Sequence, residues 1–294
     1  MTPRLCIIGV GLIGGSLARA VRRAAVVGEI VGAGRDEVQL RKAVALGVID
    51  RYELDFARAV QGADIVVLAV PLGAMESVLR TIAPHCKTEA VITDVGSAKA
   101  SVVAAAQAIY GEVPARFVPG HPIAGTERSG VEASFAELFQ DRRVILTPLA
   151  HTERAAVDQV RLLWAAAGAE IVEMDVAHHD AVLAATSHLP HVLAYTLVDT
   201  LARMEDETEI FRYAAGGFRD FTRIASSDPV MWRDICVANR EAILTTLQAY
   251  VRDLNAVTEA IRRCDSAEIF GIFNRAKVAR DRYCERHGVA PKKT

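Results

Sequence analysis

The amino-acid sequence predicts an α/β chain: a mostly parallel sheet with helices on both faces, followed by an all-helical domain. Three observations carry that expectation. Short apolar runs alternate with helical stretches from residue 4 to about residue 174. The first run enters a glycine-rich turn that opens a helix. After about Met174 the strand pattern stops and helical spacing takes over. The expected domains are 1–174 and 175–294.

RLCIIG (4–9) reads as a buried strand, and GVGLIGGSLARAVRR follows with G-x-G-x-x-G at Gly9, Gly11 and Gly14. Gly9 permits the tight turn, Gly11 lets the backbone approach a pyrophosphate, and Gly14 lets helix and strand pack closely. The helix N-terminus then faces the phosphate charge, in the Rossmann manner. Leu12 and Ile13 lie in the same turn and join the glycines as expected cofactor contacts.

EIVGAG (29–34) is the next strand, followed by a helix from about Glu37 to Leu46. Chains that bind NAD usually place Asp or Glu at the end of this strand to bond the ribose 2′-hydroxyl. The matching position reads as Gly34, with Arg35 beside it. A missing carboxylate next to a guanidinium favours NADP. The rival reading gives Asp36 the acidic role, leaves Arg35 solvated, and points to NAD.

ADIVVLAV (63–70) ends at Pro71 and leads into a helix reaching about Ala83. EAVITDVGS (89–97), RFVPG (116–120), RVILTP (143–148) and AEIVEM (169–174) continue the series. Ligands of such sheets bind outside the carboxyl ends of the strands. Val70, Pro71, Ser97 and His121 follow such ends.

In the second part, residues 176–204 carry a helical apolar stripe interrupted by Pro190. Proline inside a helix removes a hydrogen bond, costs about 3 kcal/mol if uncompensated, and predicts a kink. Asp228 and Pro229 mark a helix start, and the run from Val230 to Arg263 reads as one long helix. Asp265 and Glu268 resemble a capping box for a last helix. Helices this long and apolar predict a homodimer.

HHD (178–180) and ATSHLPHVLAY (185–195) place four of the eight histidines within fourteen residues. Such a cluster reads as a metal site, a hydrogen-bonded core, or one wall of a pocket for an organic acid. H-E-x-x-H is absent and Pro190 distorts the spacing, so no metal is expected.

Composition narrows the partners. Of 294 residues 51% are hydrophobic, and the net charge is −2 with no basic run beyond PKKT. Nucleic acid is therefore not expected. The apolar runs are short or carry charges, so no membrane span is expected. Cys6, Cys86, Cys236, Cys264 and Cys284 make an odd count without C-x-x-C. They read as reduced thiols of a cytoplasmic protein.

GVGLIGGS, TDVGSAK (93–99), GHPIAGTE (120–127), TSHLPH (186–191) and GGFRDFTRIASSDPVMW (216–232) occur in that order. Together they resemble the prephenate/arogenate (cyclohexadienyl) dehydrogenase family in its stand-alone form, over about residues 4–285. The resemblance implies oxidative decarboxylation of prephenate, arogenate or both, with NAD(P), to 4-hydroxyphenylpyruvate or tyrosine. It implies that His121 is the catalytic histidine, where a neutral imidazole suits proton abstraction near pH 7. Ser97 would orient the hydroxyl and this histidine, and Glu127 would help gate the pocket. Arg223 matches the substrate arginine, a guanidinium suited to a carboxylate, with Arg219 as a rival. Ser187 and His191 match side-chain contacts, and His179 matches another pocket histidine. Trp232 matches an aromatic that the family supplies from the neighbouring subunit, or is a core residue of a dimer helix. His178 and His188 remain structural. Two other classes share the scaffold. A 3-hydroxyacid dehydrogenase or imine reductase would need a lysine in the catalytic place, and a dinucleotide-sensing protein would have no need of Ser97, His121 and Arg223 together.

Overall fold

A computed structural model of the protein describes residues 2–287. Those residues form nine strands: β1 (Arg4–Ile8), β2 (Glu29–Ala33), β3 (Arg51–Glu53), β4 (Ile65–Leu68), β5 (Val91–Asp94), β6 (Phe117–Val118), β7 (Gly120–Pro122), β8 (Arg143–Leu146) and β9 (Glu170–Glu173). Six make one sheet in the order β3-β2-β1-β4-β5-β6, with every neighbouring pair parallel. The helices around them are α1 (Leu12–Arg23), α2 (Glu37–Ala45), α3 (Phe56–Val60), α4 (Met75–Ile82), α5 (Lys99–Tyr110) and α6 (Arg154–Ala166).

The central strands are near-continuous apolar runs because helices cover both faces. Their alternation still sorts the side chains. Leu5, Ile7 and Val67 join Leu17, Val21, Leu163 and Trp164 in one buried cluster. Cys6, Ile8, Val66 and Leu68 join Leu79, Val102 and Phe117 in another.

Two features differ from the sequence reading. β3 is a short, half-buried edge strand that the pattern did not announce. RFVPG also does not form one strand. β6 stops at Val118, and β7 belongs to a second sheet, β7-β8-β9, where it runs antiparallel to β8. Pro119 lies between them, and a residue without N–H cannot continue a ladder. Its carbonyl instead accepts from Thr147 N at 2.9 Å. His121 therefore sits in a strand, opposite Ile145, rather than in the loop beyond one.

After Glu173 the chain is helical: α7 (Val176–Leu183), a π-helical segment (Ala184–His188), α8 (Leu189–Ala202), α9 (Glu207–Arg212), α10 (Gly216–Thr222), α11 (Pro229–Ala238), α12 (Arg240–Arg262) and α13 (Ser266–His287). Asp228 caps α11, accepting from Val230 N and Met231 N at 2.7 and 3.0 Å, with Pro229 at the first helical position. The helix expected to run on to Arg263 breaks at Asn239, whose φ and ψ of −108° and 33° leave the helical region. Its side chain is held elsewhere, as described below.

Pro190 was expected to kink its helix. The structure instead accommodates it with the π turn just upstream, which widens the backbone where the ring would meet the carbonyl of Thr186. The wider turn also changes the helical phase. His179 and His188 are nine residues apart, so an unbroken α-helix would set them on opposite faces, about 180° apart. One residue absorbed by the π turn brings them to about 80°, close to one face. Taken as one run, Val176–Ala202 is long and apolar enough to cross a membrane, which the sequence reading, divided at Pro190, did not register. The run nevertheless buries His179 and Asp180 in contacts with other elements, as a packed helix does.

The chain divides into two compact units, Met1–Ile243 and Leu244–Thr294. The first contains both sheets and the helices through α11. The second contains most of α12 and all of α13, joined at Cys264, which takes a φ of 54°. Asp265 caps α13 by accepting from Glu268 N at 2.9 Å. Leu254, Ile261, Phe270 and Phe273 of this unit are exposed.

Candidate active site

The turn after β1 fits a dinucleotide. Gly9 has a φ of +99°, and a Cβ there would lie 2.2 Å from the Ala69 carbonyl oxygen. A Cβ on Gly14 would lie 2.2 Å from the Gly9 carbonyl oxygen, so helix and strand touch backbone to backbone. A Cβ on Gly11 would meet nothing within 4 Å, leaving room for a ligand to approach. α1 starts without a side-chain cap and without an acidic residue in its first turn. Its free N–H groups and positive dipole end suit a pyrophosphate. Leu12 and Ile13 are half-buried at this helix start.

At the end of β2, a Cβ on Gly34 would make only ordinary contact with Leu40, at 3.6 Å. Arg35 is exposed and has no ion-pair partner among the described residues. Asp36 is already engaged: its carboxylate caps α2, accepting from Val38 N and Gln39 N at 2.9 and 3.2 Å. Val70 and Pro71 follow β4, half-buried and exposed respectively.

Asp94, at the end of β5 and fully buried, ties together the backbone on which two predicted residues sit. Its Oδ2 accepts from Gly96 N at 2.7 Å, next to Ser97, and its Oδ1 from Gly120 N at 3.1 Å, next to His121. Lys99, also fully buried, donates from Nζ to Asp94 Oδ2 and to the Gly120 carbonyl oxygen at 2.7 Å. Burial pulls the Lys99 ammonium below its ordinary pKa, and the charge and hydrogen bond of Asp94 oppose that pull. A lysine so enclosed is scaffolding, not the free catalytic lysine of 3-hydroxyacid dehydrogenases. Ser97 itself is half-buried in the loop between β5 and α5.

His121 is buried, and its Nδ1 lies 2.9 Å from Nε2 of His179, with the rings edge-on at 5.1 Å. His179 Nδ1 lies 2.7 Å from Asp180 Oδ1. Asp180 also accepts from Lys99 N at 2.7 Å and Ala100 N at 2.9 Å, capping from α7 an α5 that has no side-chain cap of its own. Burial pushes the Asp180 carboxyl up, but the bonds from His179, Lys99 N and Ala100 N outweigh it and hold the group below the usual range. Burial, reinforced by His179, Lys99 and His188, holds His121 well below the ordinary histidine pKa, so its ring is neutral at pH 7.

His188, reoriented by the π turn, is also buried, and burial outweighs the pull of Asp180 to lower its pKa to about 4. Its Nδ1 lies 3.0 Å from Asn239 Nδ2, which also donates to the Asp180 carbonyl oxygen at 2.9 Å. This is the contact that takes Asn239 out of the α11–α12 helix line. His191 donates from Nδ1 to the Ser187 carbonyl oxygen at 2.9 Å, and burial lowers its pKa. Its ring stacks on Trp232, with centroids 3.5 Å apart and planes at 18°. Trp232, read as an aromatic supplied from the neighbouring subunit or as a core residue of a dimer helix, is buried in its own chain, between His191 and an edge-on His188 at 6.1 Å. Among the described residues no group of three or more His, Cys, Asp or Glu side chains could hold a metal ion.

Glu127, in the loop after β7, is hydrogen-bonded to Arg223, which opens a 3-10 turn after α10. Both side chains are largely exposed, at 42% and 63%. Arg219 lies exposed on α10 without an ion-pair partner among the described residues. The structure thus brings His121 to His179, His191 to Trp232 and Ser187, and Glu127 to Arg223. The sequence reading missed Asp94, Lys99, Asp180 and Asn239. The first two lie inside the quoted TDVGSAK motif and Asp180 is adjacent to His179, yet no spacing rule connects them to their partners.

The sequence matches the family described as prephenate dehydrogenase, nucleotide-binding domain, over residues 17–173, and prephenate dehydrogenase, dimerization domain, over 175–275. It is 41% identical to the cyclohexadienyl dehydrogenase of Zymomonas mobilis over 98% of both chains. It is 38% identical to the prephenate dehydrogenase of Bacillus subtilis, over 96% of this chain and 76% of that protein. Among solved structures, prephenate dehydrogenase from A. aeolicus in complex with hydroxyphenyl propionate and NAD+ superposes with a TM-score of 0.89. That pair is 36% identical and covers 96% of this chain and 99% of the other. Synechocystis arogenate dehydrogenase superposes with a TM-score of 0.79 at 28% identity, over 95% and 99% of the two chains.

Proposed function

The chain belongs to the prephenate dehydrogenase family, and from that premise we propose that it oxidatively decarboxylates prephenate, arogenate or both, for tyrosine biosynthesis. It is an oxidoreductase that uses a nicotinamide dinucleotide, and the bound nicotinamide supplies the hydride acceptor. The observation that carries the assignment is His121: a buried imidazole, neutral at pH 7 and hydrogen-bonded from behind by His179.

His121 takes the proton of the ring hydroxyl as the carbon bearing it becomes a carbonyl. The ring carboxylate leaves as CO2, its bonding pair aromatises the ring, and the resulting phenolate oxygen recovers a proton from the imidazolium. Ser97, on the loop that Asp94 ties to the strand carrying His121, orients the hydroxyl. Arg223 holds a substrate carboxylate. An exposed ion pair is worth about 0–1 kcal/mol, so an incoming carboxylate displaces Glu127 from Arg223 at little cost, and Glu127 acts as the gate. Ser187 and His191 form the wall of the pocket, His179 stands behind His121, and Trp232 keeps the His191 ring in place.

The cofactor reading is NADP. Its support is an Arg35 without an ion-pair partner among the described residues, a Gly34 without a carboxylate, and an Asp36 whose Oδ1 caps α2. Gly9, Gly11, Leu12, Ile13, Gly14, Val70 and Pro71 complete the cofactor surface. The working domain division is 1–174 for the dinucleotide and 175–294 for substrate and dimerisation, supported by the boundary between the two family matches. The enzyme is a homodimer through its C-terminal helices, supported by the dimerization-domain match and by exposed Leu254, Ile261, Phe270 and Phe273. Five unpaired thiols suit the cytoplasm.

Initial rates with prephenate and arogenate, each against NADP and NAD, test this function. CO2 release in step with cofactor reduction is the expected result. Cofactor binding with no turnover of either acid at any pH would overturn it.

A further inference from the structure

We propose that Asp180, acting through His179, is a positioning residue that sets the tautomer of His121, placing its proton on Nδ1 and leaving Nε2 bare as the base. The inference rests on His121 being the base, and deepens that reading by naming the atom and what selects it.

The polarity of this hydrogen-bonded chain follows from which atoms carry protons. A carboxylate offers only lone pairs. Asp180 accepts Lys99 N at Oδ1 and Ala100 N at Oδ2, so it meets the backbone of α5 as an anion. Its third contact, His179 Nδ1 at 2.7 Å, must then be an N–H. A neutral imidazole has one N–H, so His179 Nε2 is an acceptor. The atom facing that acceptor at 2.9 Å is Nδ1 of His121, which must donate. His121 Nε2 is left with a lone pair. The opposite polarity would need a protonated Asp180, which the donors on that carboxyl hold ionised, or a second proton on His179, which would place a cation on a ring fully enclosed by protein.

Neighbouring groups do not compete for these positions. Lys99 Nζ, on α5, is taken by Asp94 of β5 and by the Gly120 carbonyl. His188, on the π segment, is taken at Nδ1 by Asn239. Asn239 also holds the Asp180 carbonyl, fixing α7 beneath His179. When Nε2 accepts a proton, the imidazolium charge has a hydrogen-bonded path of two links to a carboxylate, while the Lys99 ammonium opposes it. Groups placed behind a catalytic or metal-binding histidine serve this way generally, fixing the ring nitrogen that reacts.

The test uses the whole protein with 15N-labelled histidine. His121 signals are identified by their loss in His121→Asn. At neutral pH Nδ1 should show the protonated and Nε2 the unprotonated nitrogen shift, the reverse of free histidine. Asp180→Asn should lower kcat by about 10- to 100-fold with the Michaelis constants for acid and cofactor little changed. Its acid limb should move to lower pH, because the imidazolium loses the carboxylate. Asp180→Glu should recover part of the rate and the Nδ1–H signature. A wild-type His121 protonated at Nε2 would overturn the proposal, even if Asp180→Asn does not fold. So would a folded Asp180→Asn with unchanged kcat and acid limb. If His121→Asn kept its kcat, the base assignment would fall while the tautomer could still be read.

Discussion

Replacing Lys99 with Met keeps most of the side-chain volume and removes one buried charge. Lys99 and Asp94 are both inaccessible to solvent. In Lys99→Met, Asp94 keeps two backbone donors, Gly96 N and Gly120 N, but loses its counter-ion. The Gly120 carbonyl also loses its 2.7 Å donor. Breaking a buried pair by removing one member costs about 3–5 kcal/mol, because the remaining charge is uncompensated. At about 2–4 °C per kcal/mol for chains approaching this size, the midpoint of thermal unfolding should fall by roughly 6–20 °C. Scanning calorimetry at matched protein concentration measures it. Lys99→Met combined with Asp94→Leu should lose less than the two single changes added together, since the lone charge is gone. The Gly96 and Gly120 N–H groups stay unsatisfied in the double variant, so it should not regain wild-type stability. A fall smaller than about 2 °C in Lys99→Met would refute the reasoning, because an uncompensated buried carboxylate cannot be that inexpensive.

His121→Asn should cut kcat by about two to four orders of magnitude with cofactor binding retained; weaker cofactor binding with normal turnover would contradict the role. Gly34→Asp, at a site where a Cβ makes only ordinary contact with Leu40, should shift the ratio of kcat/KM from NADP toward NAD, measured at fixed acid concentration. Arg223→Ala should chiefly raise the Michaelis constant for the acid, by about 2 kcal/mol or more if the contact is desolvated; an unchanged constant would remove Arg223 from the pocket. His188 is held at a pKa of about 4 against 6.5 unfolded. The unfolded chain therefore binds a proton first as pH falls, so this contribution is whole above 6.5 and is lost between 6.5 and about 4, about 3 kcal/mol in all. Urea midpoints at pH 7 and 5 should show that loss in the wild type and a smaller one in His188→Gln.

The dinucleotide half was legible because its strands are covered on both faces and so write continuous apolar runs into the sequence. β3 was not, since a three-residue half-buried edge strand carries no such run. The change of sheet at Pro119 turns on a single missing N–H, and the break at Asn239 on one amide whose partners are 51 and 59 residues away. Local pattern reaches neither. The same limit applied at the site. Motifs identified the residues expected to touch substrate, but not those that hold them. Lys99 N meets Asp180 across 81 residues of sequence, and Lys99 Nζ meets the Gly120 carbonyl across 21. Those pairings exist only once β5, β7 and α7 converge.

The π turn makes the length of the segment Ala184–His188 as important as its composition. Deleting one residue there would close the wide turn and bring the Pro190 ring back against a carbonyl of the preceding turn. It would also turn everything from Leu189 onward by about 100° and draw it in by about 1.5 Å. His191 would leave the face of Trp232, and Tyr195 would leave the Ser227 carbonyl that it now reaches at 2.6 Å. Substitutions can be absorbed one side chain at a time, but a frame slip of this kind displaces an entire helix in a single step, so engineered or natural variation in this stretch should preserve residue count far more strictly than residue identity.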